Sequence, residues 1–186
     1  MITVGVFGTW RAPVGSDIYC QAEEIGKISA ENGFRILTGG YSGVMEAAPR
    51  GAKSVGGLTL GYTWAGLDGE LEANAFLDEI RHFESLVERV ARLIEDSDVC
   101  VFFPGRTGSV AELALATEAR AKGELACPIV LIGSYWQGFF SWLSGSNKNL
   151  DLPADAEEQS DIYQVLRHPN QFEVFLKGMN EHSWSK

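Results

Sequence analysis

The sequence predicts an α/β fold: a single domain spanning residues 1–186, with a doubly wound parallel sheet and helices on both faces. Three observations carry the prediction. Short apolar runs of strand length alternate with longer segments that show polar and apolar faces at helical spacing. The segments between successive strands are long enough for crossovers, which parallel neighbours require and hairpins do not. Several strands run directly into glycine-containing loops, and in sheets of this kind those loops stand at the carboxyl ends of the strands, where ligands bind.

Residues 2–7 (ITVGVF) form the first expected strand, followed by the loop 8–13 and a helix from Ser16 or Asp17 to about Asn32. Ile18, Ala22, Ile25, Ile28 and Ser29 share one face of that helix, Gln21, Glu24, Lys27 and Glu31 share another, and Asn32-Gly33 closes it. A second strand is expected at 34–37, a second glycine loop at 38–43, a helix at 44–55 that Pro49 bends or divides, and a third strand at 58–62. Residues 64–75 read as an irregular loop and a candidate lid, and 74–80 as a short extended piece. A helix from 83 or 84 to 95 carries Leu86, Val90, Leu93 and Ile94 as its apolar stripe. On it Arg92 has Glu88 and Glu95 within a turn, whereas Arg89 has no carboxylate at helical spacing. The run 99–103 reads as a strand covered on both faces, 110–122 as a helix with Thr107 or Ser109 as its cap, and 128–132 as a further strand. Residues 135–143 read as a short aromatic helix, 144–160 as a long loop, and 161–166 and 169–177 as terminal helices beyond a core of about residues 2–145.

Composition narrows the function. A net charge of −10 disfavours general binding to nucleic acid or to anionic lipid. No apolar stretch approaches bilayer length, and MITVGVFG lacks a basic leader, so a cytoplasmic protein without membrane association is expected. Cys20, Cys100 and Cys127 are odd in number and widely spaced, which argues against a disulfide framework and against a zinc site; no metal centre is expected. Cys100, inside an apolar run, reads as a small core residue.

The stretch DVCVFFPGRTGSVAE (98–112) is the candidate site. A buried strand, a turn punctuated by Pro104, Gly105 and Gly108, and a helix start together gather unpaired backbone N–H groups and the positive end of a helix dipole, a place for a phosphate. Glu112, in the first turn of that helix, is placed to reach whatever the phosphate is attached to. The first loop lacks a full G-x-G-x-x-G, and no acidic residue follows the second strand to hold a ribose, so a mononucleotide fits better than a dinucleotide.

Three segments in one order, GGYSGVMEAAPRGA (39–52), ERV (88–90) and PGRTGSVAE (104–112), resemble the LOG (Lonely Guy) family, long labelled lysine decarboxylase-like. That family lies within a broader group of Rossmann-like nucleotide-binding proteins that includes molybdenum-cofactor carriers. The resemblance covers about residues 2–132. It implies a homodimer without an organic cofactor that acts as a hydrolase, a phosphoribohydrolase cleaving the N-glycosidic bond of a nucleoside 5′-monophosphate such as a cytokinin riboside monophosphate. Glu112 falls on the family's catalytic glutamate and Arg89 on the arginine of its Arg-Lys pair. Gly8, Thr9, Gly39, Gly40, Gly43, Gly105, Arg106, Thr107, Gly108 and Ser109 are the expected phosphate and nucleotide-binding residues, with Gly43 and the helix it opens giving a second polar wall. Two positions depart from the pattern: Val90 stands in place of the lysine, and Arg106 in place of the second glycine of P-G-G. The alternative implied by the same group is a non-catalytic carrier of a nucleotide or of the molybdenum cofactor, for which the missing lysine matters less. In either case the partner is a small phosphorylated ligand.

Overall fold

The computed structural model describes residues 1–67, 69–149 and 162–181. Its elements, in chain order, are β1 (Thr3–Phe7), α1 (Asp17–Glu31), β2 (Arg35–Thr38), α2 (Val44–Ser54), β3 (Thr59–Trp64), β4 (Glu79–Phe83), α3 (Leu86–Glu95), β5 (Val99–Phe102), α4 (Thr107–Ala121), β6 (Ile129–Ile132), α5 (Gln137–Asn149), β7 (Tyr163–Leu166) and α6 (Asn170–Glu181). The strands form one seven-stranded sheet in the order β4-β3-β2-β1-β5-β6-β7, and every neighbouring pair is parallel.

The period-two alternation of the strands divides the core into two layers. Val4, Val6, Ile36, Val99, Val101, Val130 and Ile132 point to one face, where Ile25, Ala48 and Phe172 from α1, α2 and α6 cover them. Phe7, Leu37, Cys100, Phe102, Ile129 and Leu131 point to the other, beneath Leu93, Leu113 and Phe140 from α3, α4 and α5. This is the doubly wound architecture read from the sequence. From β1 the chain first winds outward through β2, β3 and β4, then returns to β5 on the other side of β1 and winds outward again. The order therefore reverses beside β1, and the crevice at the carboxyl ends of β1 and β5 is where such a sheet opens a ligand site. Register keeps that edge level: Phe7 is paired with Phe102, so the loops after β1 and β5 leave the sheet side by side.

Four expectations are corrected. Residues 79–83 form a strand, β4, which shares only residues 79 and 80 with the extended piece expected at 74–80 and takes up position 83, where the helix was expected to start. Its sequence EIRHF is largely exposed because it is the outermost strand and pairs only with β3. Residues 163–166 form the opposite edge strand, β7, where a helix was expected; four residues hydrogen-bonded along β6 carry too few positions for period to tell a strand from one helical turn. Helix α4 begins at Thr107, three residues earlier than expected, so Thr107, Gly108 and Ser109 are its first turn and Glu112 lies in its second. Helix α5 continues through the start of the expected long loop to Asn149; the remainder of that loop, 150–160, and residue 161 of the helix expected after it lie outside the described residues. Elsewhere Asn32 and Gly33 close α1 as read, with Gly33 at φ 81°, and Pro49 sits inside α2.

Candidate functional site

Three loops meet at the reversal point and are locked to one another by two backbone hydrogen bonds and one from a serine hydroxyl. The Thr9 N–H donates to the Pro104 carbonyl (3.1 Å), the Val44 N–H donates to the Thr9 carbonyl (3.0 Å), and the Ser42 hydroxyl donates to the Trp10 carbonyl (3.0 Å). Gly43 makes this approach possible: its φ is +65°, and a Cβ there would fall 2.4 Å from the Thr9 carbonyl oxygen. The second polar wall expected from Gly43 and α2 is accordingly not offered by Val44, since its N–H is consumed in holding the β1 loop.

Above these loops lies a cavity of about 630 Å³, within the usual range for a small-molecule site. One end is the start of α4. Thr107, Gly108 and Ser109 line it, and their N–H groups precede the first bond of the helical ladder, Val110 N–H to the Arg106 carbonyl. No side chain caps this terminus. Arg106, at the cap position, is exposed and lines the same end, adding a cation to the positive end of the dipole. Its backbone (φ −108°, ψ −150°) is extended, so replacing the family's glycine introduces no strain here. The turn is steadied from behind by Tyr135, whose hydroxyl donates to the Gly105 carbonyl (2.7 Å).

The floor is Arg89 and Glu112. Arg89 is 7% exposed; its Nε donates to the Tyr62 carbonyl (2.5 Å), its Nη2 to the Gly39 carbonyl (2.9 Å), and its guanidinium lies 5.7 Å from the centre of the Tyr41 ring. The partner that its own helix lacks is thus supplied by the ends of β2 and β3. Burial pulls its pKa down, and the charge of Glu112 works in the opposite direction. Glu112 touches the cavity but is otherwise walled by protein, and this loss of water pushes its carboxyl up to about 7, with Arg89 pulling it back only in part. Near neutral pH the site therefore presents a carboxyl that is protonated in a large fraction of molecules.

A stability consequence follows from that carboxyl. The folded state keeps a proton that the unfolded chain releases near the ordinary value of 4.5, so stability is fullest below 4.5 and declines as pH rises to about 7. Glu112→Gln removes the cost of ionisation. Thermal melts should show the variant more stable than the parent by roughly 7–13 °C at pH 8, with the gap closing at pH 4.5. An equal gap at both pH values would contradict the assignment.

Among the residues predicted from sequence, Gly8, Thr9, Arg106, Thr107, Gly108 and Ser109 line the cavity together with Arg89 and Glu112. Gly39, Gly40, Gly43 and Gly105 do not line it and act on the loops instead: the Gly40 carbonyl accepts from the Asn74 backbone N–H (2.9 Å) and from its side-chain amide (3.0 Å). Those bonds fasten the far end of the candidate lid, whose Leu67, Glu70 and Leu71 line the cavity. Val90 turns away, half-buried against the core layer of Leu93 and Phe102, so no side chain replaces the missing lysine from that position. Sequence reasoning missed Trp10, Arg11, Tyr41, Met45, Trp64 and Leu86 as lining residues. Trp10-Arg11 was accessible, since the pair directly follows a strand-end glycine; Trp64 was not, because β3 runs two residues beyond its apolar stretch. Among the described residues no group of three or more His, Cys, Asp or Glu is positioned to hold a metal ion, and no helix is long and apolar enough to cross a membrane.

A parallel sheet that reverses its order beneath an uncapped helix start and a cavity of small-molecule size defines a Rossmann-like fold with its crevice at the carboxyl ends of the strands. The chain belongs to the SLOG cluster4 family, whose model matches residues 1–135. Among solved structures it is similar to the molybdenum cofactor carrier protein of Chlamydomonas reinhardtii, with 25% identity, a TM-score of 0.73, and coverage of 97% of this chain and 99% of that one. The molybdenum cofactor binding protein of Rippkaea orientalis shares the fold, with 23% identity, a TM-score of 0.71, and coverage of 96% of each chain. A cytokinin riboside 5′-monophosphate phosphoribohydrolase of Mycobacterium tuberculosis is 27% identical over 76% of this chain and 81% of its own length.

These findings correct the expectation of a hydrolase. In sequence the phosphoribohydrolase matches 76% of the chain, and in structure the carrier matches 97% of it at 25% identity. The reading as a phosphoribohydrolase acting on a cytokinin precursor does not hold.

Proposed function

We propose that this chain binds the molybdenum cofactor, a pterin carrying a phosphate ester and a metal dithiolene, and carries it without converting it. The observation that supports this most is the two-ended cavity: uncapped N–H groups and Arg106 at the α4 end, and Trp64, Leu67, Leu71 and Leu86 at the other. The two ends stand over β5 and β3, three strand positions apart, about 14 Å at the usual interstrand spacing. A phosphate joined to a fused heterocycle spans such a distance. The whole-chain likeness to the Chlamydomonas carrier points to the same ligand. Glu112 suits a binder, because in its neutral form it neither repels the phosphate nor requires a counterion. The protein is read as a homodimer as well, with exposed Val87 on α3 and Leu115 on α4 as apolar candidates for the contact.

Titration calorimetry with the metal-free pterin phosphate and with its dephosphorylated form tests the binding half of the proposal, and sedimentation of the same sample tests the dimer. The phosphate ester should improve affinity at least tenfold. Equal affinity for the two forms would place the ligand elsewhere.

A further inference from the structure

The end of the cavity above β3 has no assigned role, and its walls are fixed in place. The Trp64 indole N–H donates to the Glu84 carbonyl (3.3 Å), and Gly66 lies so close against the ring that a Cβ there would fall 2.3 Å from it. Trp10 enters from the β1 loop with Arg11 over its ring at 4.7 Å, and both residues line the cavity. Each indole is thus held by a neighbour while bordering the cavity, an arrangement suited to stacking a planar ring. Glu70 borders the same space from the segment after β3, exposed and without a salt bridge among the described residues.

We infer that Trp64 and Trp10 form a stacking subsite for a fused heterocycle, and that Glu70 selects rings bearing a 2-amino-4-oxopyrimidine edge. The inference rests on the proposed phosphate site at α4, which sets the direction in which the ligand lies. A carboxylate presents two acceptors, and the 2-amino-4-oxopyrimidine edge presents two adjacent donors, its 2-amino group and N3–H, so the two match in pairs. A ring with a 2-oxo group puts an acceptor against the carboxylate and loses one bond to repulsion. The site would therefore favour a pterin over a lumazine of the same shape and charge.

The test uses the full chain and two probes, 6-hydroxymethylpterin phosphate and 6-hydroxymethyllumazine phosphate, followed by quenching of probe and tryptophan fluorescence, with ribose 5-phosphate as a phosphate-only control. The parent protein should prefer the pterin by about tenfold or more, from one charge-assisted bond gained and one repulsion avoided. Trp64→Ala should weaken both heterocyclic probes by roughly tenfold, the worth of one stacked ring, and leave ribose 5-phosphate unchanged. Glu70→Gln should erase the preference between the probes without altering ribose 5-phosphate binding, which also shows that the variant is folded. Equal affinity of the parent protein for the two probes, or a Trp64→Ala variant that weakens all three ligands alike, would overturn the subsite while leaving the phosphate reading intact. Failure of all three ligands to bind the parent protein would overturn both.

Discussion

Gly108→Asp loses the phosphorylated ligand at least about a hundredfold while its melting temperature stays level or rises slightly. The position is open: a Cβ on Gly108 meets nothing within 4 Å, and its φ is not among the left-handed ones. It is also the second residue of α4, where the helix dipole favours a carboxylate and where glycine is a poor helix former. Folding therefore gains from the substitution. Binding does not, because the new charge stands among the N–H groups assigned to the phosphate. Two like charges about 5 Å apart repel by roughly 3 kcal/mol at the effective dielectric of a protein surface, more than two decades in affinity. Gly108→Asn, similar in shape but neutral, should stay within a few-fold of the parent. Calorimetric titration and a thermal melt of both variants separate the two effects; loss of binding in the Asn variant, or retention in the Asp variant, would remove the phosphate from this helix start.

The second large effect concerns α1 and α2. Gly51 faces α1 so closely that a Cβ would sit 1.8 Å from the Glu23 carbonyl oxygen, and Gly26 reciprocally faces the Ala48 carbonyl at 1.9 Å. Helix propensity alone predicts that Gly51→Ala stabilises by about 1 kcal/mol. The contact predicts the reverse, since the obstructing atom belongs to rigid backbone and the two helices must move apart along their whole contact. A loss of about 3 kcal/mol is expected, at the upper end for overpacking, which lowers the melting temperature by roughly 6–12 °C in a chain of this size. Denaturant unfolding checks both sign and size. A stabilised variant would mean that α1 and α2 pack less tightly than described.

These two glycines mark the limit of what the sequence conveys. Gly108 was legible, because a glycine between a strand-end proline and an apolar helix has a local meaning. Gly26 and Gly51 were not, since each serves a partner helix more than twenty residues away and neither disturbs its own periodicity. The same division runs through the fold. The central strands β1, β2 and β5, with their apolar runs and terminal loops, were readable because burial on both faces leaves a compositional trace. The edge strands β4 and β7 were not, because one open side lets polar residues in. At the site, Arg89 and Glu112 were found through motif and spacing, and the structure brings both to one cavity. The aromatic end went unread, as its members come from the β1 loop, the end of β3, the segment after it and the start of α3, which only the sheet order brings together.

What separates a carrier from a converting protein is the fate of the ligand, and transfer measures it directly. Purified protein is loaded with molybdenum cofactor, passed through gel filtration, and mixed with a molybdoenzyme stripped of its cofactor. Molybdenum and pterin should co-elute with the chain in equal amounts, the recipient should regain activity in proportion to the cofactor supplied, and no phosphate should be released. Cofactor that elutes free of the chain, or that leaves it dephosphorylated or cleaved and unable to restore the recipient, would contradict the account.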